Sequence, residues 1–253
     1  MQEFLFIFIV SLIANLFSAF SGGGAGLIQL PLLIFLGLPF GTALATHKVA
    51  SVALGAGATL RHLKNNTLQK NIVILMLLSG IPGVIIGANI ILNIPDAIAQ
   101  FSLGILTISL GIYSILKPEL GQQHNLKRQT FFGFLTGGII LFCIGALNGS
   151  LTSGTGLFAT IWLIRWFGLD YQTAVAYTLV MVGLFWNGAG AITLGLIGNI
   201  YWQWLPALLL GSLIGGYLGA HLSIKKGNQW IKKGFESVTI LIGLKLISNF
   251  FGI

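Results

Sequence analysis

Apolar residues run along this chain in long blocks, with short polar stretches between them. The blocks at 4–20, 43–60, 72–92 and 97–116 each reach the roughly 17–25 residues that a membrane-spanning helix requires. Between the first two lies a shorter block, 26–38, which contains Pro31. At about 1.5 Å per residue it covers only roughly 20 Å of a hydrocarbon core about 30 Å thick. After a polar linker, Lys117 to Arg128, the plan recurs as 130–149, a short 156–168, then 172–197, 201–224 and 234–252. The start, Met1-Gln2-Glu3, lacks the basic region of a signal peptide, so the first block reads as a membrane helix. The pattern predicts an all-α polytopic membrane protein with about eight full-length transmembrane helices and two short or re-entrant ones.

The two halves also match residue by residue. Gly24-Ala25-Gly26-Leu27 aligns with Gly154-Thr155-Gly156-Leu157, and Thr42-Ala43-Leu44-Ala45 with Thr173-Ala174-Val175-Ala176. Gly87-Ala88 falls on Gly219-Ala220, and Thr107-Ile108 with Gly111 falls on Thr239-Ile240 with Gly243. The offset drifts only from 130 to 132. Residues 1–120 therefore read as a first membrane repeat, 121–129 as a polar cytoplasmic linker, and 130–253 as a second repeat. Five segments per repeat, an odd number, predict that the second is inverted.

Loop charge points the same way. The loop after 43–60 carries Arg61, His62, Lys64 and Lys70, whereas its counterpart around 195–200 carries no basic residue. The stretch Asn93 to Asp96 has none, whereas its counterpart carries Lys225, Lys226, Lys232 and Lys233. Cytoplasmic loops carry the excess of Lys and Arg, so these basic loops, with Lys117, Lys127, Arg128 and Arg165, are expected inside. Both termini are then extracytoplasmic, with Trp202 and Trp204 at the outer interface and Trp166 and Trp230 at the inner one.

Composition narrows the class. Only 7% of the 253 residues are charged and 55% are hydrophobic, against about 25% charged in soluble domains. A net charge of +8 would suggest nucleic acid in a soluble protein. Here the cations sit between apolar blocks and anchor loops, so the expected partner is the lipid bilayer, with no nucleic acid. The single cysteine, Cys143, excludes a disulfide framework and a cysteine metal cluster, and reads as a small apolar filler inside a helix. No metal, cofactor or catalytic residue is expected.

The stretch Ser21-Gly22-Gly23-Gly24-Ala25-Gly26 is out of place among apolar blocks, because backbone without helical hydrogen bonds is tolerated at membrane depth only against protein or a wet cavity. Its mate is Thr152-Ser153-Gly154-Thr155-Gly156. Short segments after glycine runs in an inverted repeat point to a transporter with its site between the halves. The five acids, Glu3, Asp96, Glu119, Asp170 and Glu236, all lie at block ends or in loops, which argues against a carrier that binds cations on a midplane carboxylate. Lys245 and His221 read as interfacial. His47 and Lys48 are different: Thr46 precedes them, Ser51 follows one turn later, and the patch faces the glycine break. A cation, hydroxyls and the N–H groups of a helix N-terminus together suit a small anion. The mate of Thr46-His47-Lys48 is Tyr177-Thr178-Leu179, so the cation is not duplicated. The second half offers Asn148, Ser150, Thr152, Ser153, Thr155, Tyr177 and Asn187, each equally readable as a helix tie.

Ser21–Leu27 with Pro31, followed by Ala43-Leu44-Ala45-Thr46-His47-Lys48, resembles the first-half signature of the sulfite exporter TauE/SafE family (TSUP). Ser153-Gly154-Thr155-Gly156 and Leu218-Gly219-Ala220 resemble its second half. The resemblance implies an inner-membrane permease of about eight spans for sulfite, thiosulfate, sulfoacetate or related anions. The chain departs from the family at Asn148, where members often carry an acid, near Ser153, where they carry proline, and near Tyr177, where they carry a second lysine. The expected substrate site comprises Ser21, Gly22, Gly23, Gly24 and Gly26 of the first break, Thr46, His47, Lys48 and Ser51, and, from the second half, Asn148, Ser153, Gly154, Thr155, Gly156, Tyr177 and Asn187. The expected mechanism is alternating access between the repeats. An anion channel fits the same features, a homo-oligomer is compatible with them, and an accessory protein or intramembrane enzyme fits less well, since the chain has no Gly-x-Ser-x-Gly or His-Glu-x-x-His motif.

The swapped loop charges can be tested directly. In a chain without Cys143, single cysteines at Asn66 and Asn228 are both expected to react with an impermeant maleimide from the cytoplasmic side. Labelling from opposite sides would refute the inverted arrangement.

Overall fold

The structure, a computed structural model, describes residues 2–62, 68–90, 96–151 and 154–250. Thr152 and Ser153 of the second glycine run, Lys64 and Asn66 of the first basic loop, and Asn93 lie outside the described residues.

Every regular element among the described residues is helical. In chain order these are α1 (Gln2–Ser21), α2 (Gly26–Phe35), α3 (Phe40–His62), α4 (Lys70–Ile90) and α5 (Asp96–Ile115), then α6 (Phe131–Ser150). Next come α7 (Thr155–Phe167), whose last five residues form a π-helix, and α8 (Tyr171–Ile197), π-helical over Thr178–Trp186. The chain ends with α9 (Leu205–Lys226), entered through a 3₁₀ turn at Trp202–Trp204, and α10 (Asn228–Phe250). Each helix falls on one apolar block.

Among the described residues, five helical stretches are long and apolar enough to cross a membrane: α1, α4, α6, α8, and α9 with its 3₁₀ turn. α3 is as long, at 23 residues, but more polar. Its buried face carries Thr46, His47, Lys48 and Ser51, which face protein rather than lipid. α2 and α7 are short apolar helices, as their blocks predict. Pro31 sits in the second turn of α2, where its missing N–H costs one intrahelical bond. Large apolar side chains such as Phe4, Phe6, Ile74, Leu78, Leu135, Ile192 and Leu241 point outward. An outward apolar surface of this extent suits contact with lipid and not with water.

In a bilayer, helices gain little from apolar burial against one another, so small residues that let backbones approach closely decide the packing. α1 lies along α9, α4 along α6, and α5 along α10, while α3 packs on both α9 and α8. The contacts are backbone to backbone. A Cβ built on Gly215 or Gly219 of α9 would overlap the carbonyl oxygen of Leu12 or Leu16 of α1. On the other side, a Cβ on Gly83 or Gly87 of α4 would overlap the carbonyl oxygen of Phe142 or Ala146 of α6. Where α3 crosses α8, Gly55 meets the backbone of Gly183 and Leu184.

The linker is fastened to the turn between α7 and α8. Asn125 N–H donates to Gly168 C=O (2.8 Å), Lys127 N–H to Phe167 C=O (2.9 Å), and Tyr171 N–H to Gly121 C=O (2.9 Å). The Arg128 guanidinium lies 4.2 Å from the Trp166 ring.

Two expectations need correcting. Glu236 is not at a helix end: with α10 starting at Asn228, it lies about two turns inside. There it pairs with Lys232 and accepts from Ser114 Oγ (2.9 Å), which also bonds the Tyr171 hydroxyl (2.9 Å). Lys232 is within reach because it sits one turn earlier on the same helix. Cys143, expected as interior filler, lies on the exposed face of α6, because the inner face of that helix is taken by glycines at α4.

The glycine contacts lead to a stability test. Gly219→Ala is expected to destabilise by about 1–3 kcal/mol through overpacking and to lower the melting temperature in detergent by several degrees. Gly41→Ala, where an added Cβ meets nothing within 4 Å, should leave it unchanged or slightly raised.

Candidate functional site

The site begins where α1 stops. Gly22, Gly23 and Gly24 have φ of 90°, 148° and 106°, three successive values that a side chain would strain. Gly22 and Gly23 N–H both donate to Ser18 C=O (2.9 and 2.8 Å). The Ser21 hydroxyl bonds Phe17 C=O (2.8 Å) and Gly23 C=O (3.1 Å). The break therefore satisfies much of its own backbone. The start of α7 packs directly on it: a Cβ on Gly23 would lie 2.7 Å from Leu157 N, and one on Gly156 would lie 3.1 Å from Gly23 Cα. Thr160 of α7 donates to Gly22 C=O (2.9 Å), so the Thr178 hydroxyl, 2.9 Å away, donates to Thr160.

A small cavity of about 40 Å³ lies where these segments meet, enough for a few waters. Its wall takes Ser18 from α1, Gly23–Gly26 from the break, His47 and Ser51 from α3, and Asn148 from α6. Thr155 and Gly156 of α7 and Thr178, Gly183 and Asn187 of α8 complete the polar lining, and Leu54, Leu179 and Val182 are apolar. The first residues of both short helices thus border one cavity. Neither N-cap residue, Ala25 or Gly154, supplies a side-chain cap, and the positive ends of both helix dipoles face the same space.

Lys48 stands immediately behind this wall and is fully buried. Its Nζ donates to Asn148 C=O (2.7 Å), Asn148 Oδ1 (2.7 Å) and Asn187 Oδ1 (3.0 Å). Three acceptors match the three N–H bonds of an ammonium. All three are neutral amide oxygens, so the charge is solvated but not neutralised. Gly190 gives the stem room, since a Cβ there would come within 3.2 Å of Lys48 Cδ and Cε. With Oδ1 of both asparagines held by Lys48, their amide nitrogens face away from it. Asn148 Nδ2 donates to Thr155 Oγ1 (2.8 Å), and Asn187 lines the cavity.

His47 is held from both sides. Its Nδ1 lies 2.7 Å from Gln29 Oε1, and its Nε2 lies 3.1 Å from Ser51 Oγ. Gln29 Nε2 donates to Ser11 Oγ (2.9 Å), and Ser11 Oγ donates to Leu208 C=O (2.9 Å). Asn15 Nδ2 joins the same cluster through Ser212 Oγ (2.9 Å).

Of the residues expected from sequence, Gly23, Gly24, Gly26, His47, Ser51, Asn148, Thr155, Gly156 and Asn187 line the cavity. Lys48 acts from behind it. Ser21 and Gly22 shape the break, and Gly154 takes the left-handed turn before α7 (φ 77°). Thr46 points elsewhere, donating to Thr42 C=O (2.7 Å) and accepting from Tyr201 N–H (2.9 Å), so it clamps the α8–α9 connection. Ser150 bonds back to Ala146 C=O (3.0 Å) within α6. Tyr177 places its hydroxyl 2.5 Å from the Gln69 amide nitrogen, at the start of α4. Ser153 is outside the described residues. Sequence reasoning missed Ser18, Thr178 and Gln29. Ser18 stands 130 residues before Asn148 and Thr178 stands 131 after His47, so the repeat offset marks both. Gln29 is the one amide side chain in its apolar block. No three His, Cys, Asp or Glu side chains come together among the described residues. A larger groove of about 610 Å³ lies against the other face of the break, between α1, α2 and α10; its walls are mostly apolar, with Ser18, Lys233, Ser237 and Lys245 as the polar side chains.

Comparison with known proteins places this arrangement. The family model described as "Sulfite exporter TauE/SafE" matches residues 7–246. A "Probable membrane transporter protein" of Haemophilus influenzae is 26% identical over 242 residues, covering 95% of this chain and 93% of that protein. "Probable membrane transporter protein YfcA" of Escherichia coli K12 is 25% identical over 248 residues, covering 97% and 90%. "Probable membrane transporter protein YunE" of Bacillus subtilis is 24% identical over 272 residues, covering 97% and 98%. No solved structure matches.

Two substitutions separate the wall from its supports. Asn187→Ala removes an amide that lines the cavity and accepts from Lys48 Nζ, and hydrogen bonds to charged groups contribute about 1.5–3 kcal/mol. It should weaken anion binding by roughly ten- to a hundredfold. Thr46→Val should leave binding unchanged and lower only the melting temperature, since it frees the Tyr201 N–H. Binding and melting measured on the same purified samples check both.

Proposed function

Since the chain belongs to the sulfite exporter TauE/SafE family, we propose that it is a permease for small sulfur-containing or organic anions, with sulfite, thiosulfate and sulfoacetate as the first candidates. The observation that carries this reading is the Lys48 ammonium, buried beside a cavity and bonded only to neutral oxygens. A buried charge is expensive unless paired. Here the pairing partner is the substrate, whose negative charge is also favoured by the N-termini of α2 and α7. The membrane transporter names of the relatives agree with a role that is transport and not catalysis.

The proposed architecture is two inverted repeats with eight full spans, α2 and α7 reaching the cavity as the short pair. The packing supports it. The α1–α9 and α4–α6 contacts exchange under the repeat, and the glycine–carbonyl pairs Leu12/Gly215 and Phe142/Gly83 differ by the same 130 and 132 residues that align the sequence halves. The pairs Leu16/Gly219 and Ala146/Gly87 do so as well. Sidedness is supported by Trp166 beneath Arg128 and by Trp230 flanked by Lys226 and Lys233, each 5.2 Å away. These are the tryptophans expected at the basic, cytoplasmic interface of a cell membrane, which leaves both termini outside. Transport follows as alternating access: the halves rock about the cavity and expose it to one side at a time.

In proteoliposomes containing the wild-type chain, at least one anion of a panel of sulfite, thiosulfate, sulfoacetate and carboxylates should exchange by counter-flow. Lys48→Met, checked for folding by its melting curve, should reduce that flux to the protein-free level. Undiminished flux in a folded Lys48→Met protein would refute the site, and ohmic conductance without counter-flow would identify a channel.

A further inference from the structure

The hydrogen bonds around His47 have a direction that is fixed from outside the site. At one end of the chain of bonds stands a backbone carbonyl, Leu208 C=O, which can only accept. Ser11 Oγ must donate to it, so toward Gln29 the Ser11 hydroxyl can only accept. Gln29 therefore turns its Nε2 to Ser11 and its Oε1 to His47. Facing an acceptor at 2.7 Å, His47 Nδ1 carries a proton. The lone pair of the neutral imidazole is then on Nε2, 3.1 Å from Ser51 Oγ, and Ser51 must donate its hydroxyl proton there. Ser51 borders the cavity, yet in this state its only proton is directed at His47 and not at a bound anion.

From this polarity we infer that the site takes its anion together with one proton, held on His47 Nε2. The inference rests on the permease reading above. The proton comes from the aqueous phase that the site faces. It bonds to the Nε2 lone pair, and the Ser51 O–H···Nε2 bond is replaced by Nε2–H···Oγ. The Ser51 hydroxyl proton then turns into the cavity and donates to the anion. No other covalent bond changes, and release of the anion reverses each step. Gln29 is a positioning residue: it holds Nδ1–H in place so that only Nε2 can take up the proton.

The groups facing His47 explain why proton and anion arrive together. Gln29 of α2 bonds His47 directly, Ser18 of α1, Asn148 of α6, Thr155 of α7, and Thr178 and Asn187 of α8 share the cavity that His47 lines, and α9 contributes Ser212 through Gln29. None of these is ionisable. Among the described residues the charged neighbour is Lys48 on the same helix, which opposes a second positive charge beside it. An imidazolium here becomes favourable when an anion stands between the two cations. Conversely, an anion gains both a donor and a charge when the proton is present. By linkage, each favours the other.

Thiosulfate, whose charge is constant across about pH 5.5–8, is the probe. On binding to the purified protein in weak buffer, it should draw about one proton per thiosulfate from solution, read with a pH dye. Its affinity should fall by up to about tenfold per pH unit as pH rises. His47→Gln places an amide that can donate permanently to Ser51. It should bind thiosulfate with no proton uptake and a flat pH profile. Nitrogen NMR of the ¹⁵N-histidine protein should show His47 protonated at Nδ1 without anion and at both nitrogens with it. Binding without proton uptake, or an Nε2–H tautomer in the anion-free protein, overturns the inference while leaving the permease reading intact. If neither thiosulfate, sulfite nor sulfoacetate binds the wild-type protein, the permease reading fails and takes this inference with it.

Discussion

An ammonium group in the middle of a membrane protein must be solvated by something, and here it is solvated by two asparagines from two other helices. Lys48 of α3 reaches Asn148 of α6 and Asn187 of α8. Much of the surrounding structure is needed to bring those three together. α3 and α8 cross where Gly55 meets the backbone of Gly183. The stem of Lys48 passes over Gly190. Gly83 and Gly87 let α4 draw α6 close from behind. A larger residue at any of these points would separate the amide oxygens from the charge they solvate. In a low-dielectric interior that separation is far more costly than the loss of a few apolar contacts.

The same constraint explains why the polar groups are arranged in series and not scattered. In water each hydroxyl or amide could bond to solvent; within a bilayer each needs a named partner. Ser11, Asn15, Gln29, Ser212, His47 and Ser51 form one continuous chain of donors and acceptors. Because Ser11 donates to a backbone carbonyl, the bonds running from Ser11 through Gln29 and His47 to Ser51 each have a determined direction. Such a network gives little stability by itself, but it fixes orientations, and orientation is what a binding site requires. The pair Lys232–Glu236, tied to Ser114 and Tyr171, meets the same demand elsewhere by mutual neutralisation.

Much of this was legible in the sequence. Block lengths marked the ten helices of the described residues, and the glycine runs marked where two short helices begin, because glycine is the residue for repeated positive φ. The patch around Lys48 stood out because a cation in an apolar block is rare. What was not legible has a physical reason in each case. Helix spacing alone does not say whether Thr46 or Ser51 faces the cavity: five residues and more than one turn apart on α3, one bonds the α8–α9 connection and the other lines the wall. The role of Gln29 depends on a contact with α9, some 180 residues away, that no local pattern encodes. Glu236 looked terminal because a helix was read to begin at its first apolar run. In fact α10 starts at Asn228, whose side chain accepts from Gln172 N–H and donates to Gln122 C=O.

The bonds that solvate Lys48 also join the two halves of the chain. Lys48 belongs to the first half, and Asn148 and Asn187 belong to the second. Gly22 and Thr160, at the crossing of the two breaks, likewise hold one half to the other. A ligand can shift a conformational equilibrium only by binding its states unequally. In the proposed permease, an anion drawn to Lys48 would bear on the very contacts that hold the two halves together. Had the cation been duplicated, with a lysine at Leu179 as well as at position 48, each half would carry its own charge, and an anion between them would bridge two like centres. With the charge on one side only and neutral amides on the other, binding instead alters the solvation that one half provides for the other. Under the permease reading proposed above, the unduplicated lysine is therefore the feature that would link occupancy of the cavity to the relative position of the two halves in one equilibrium.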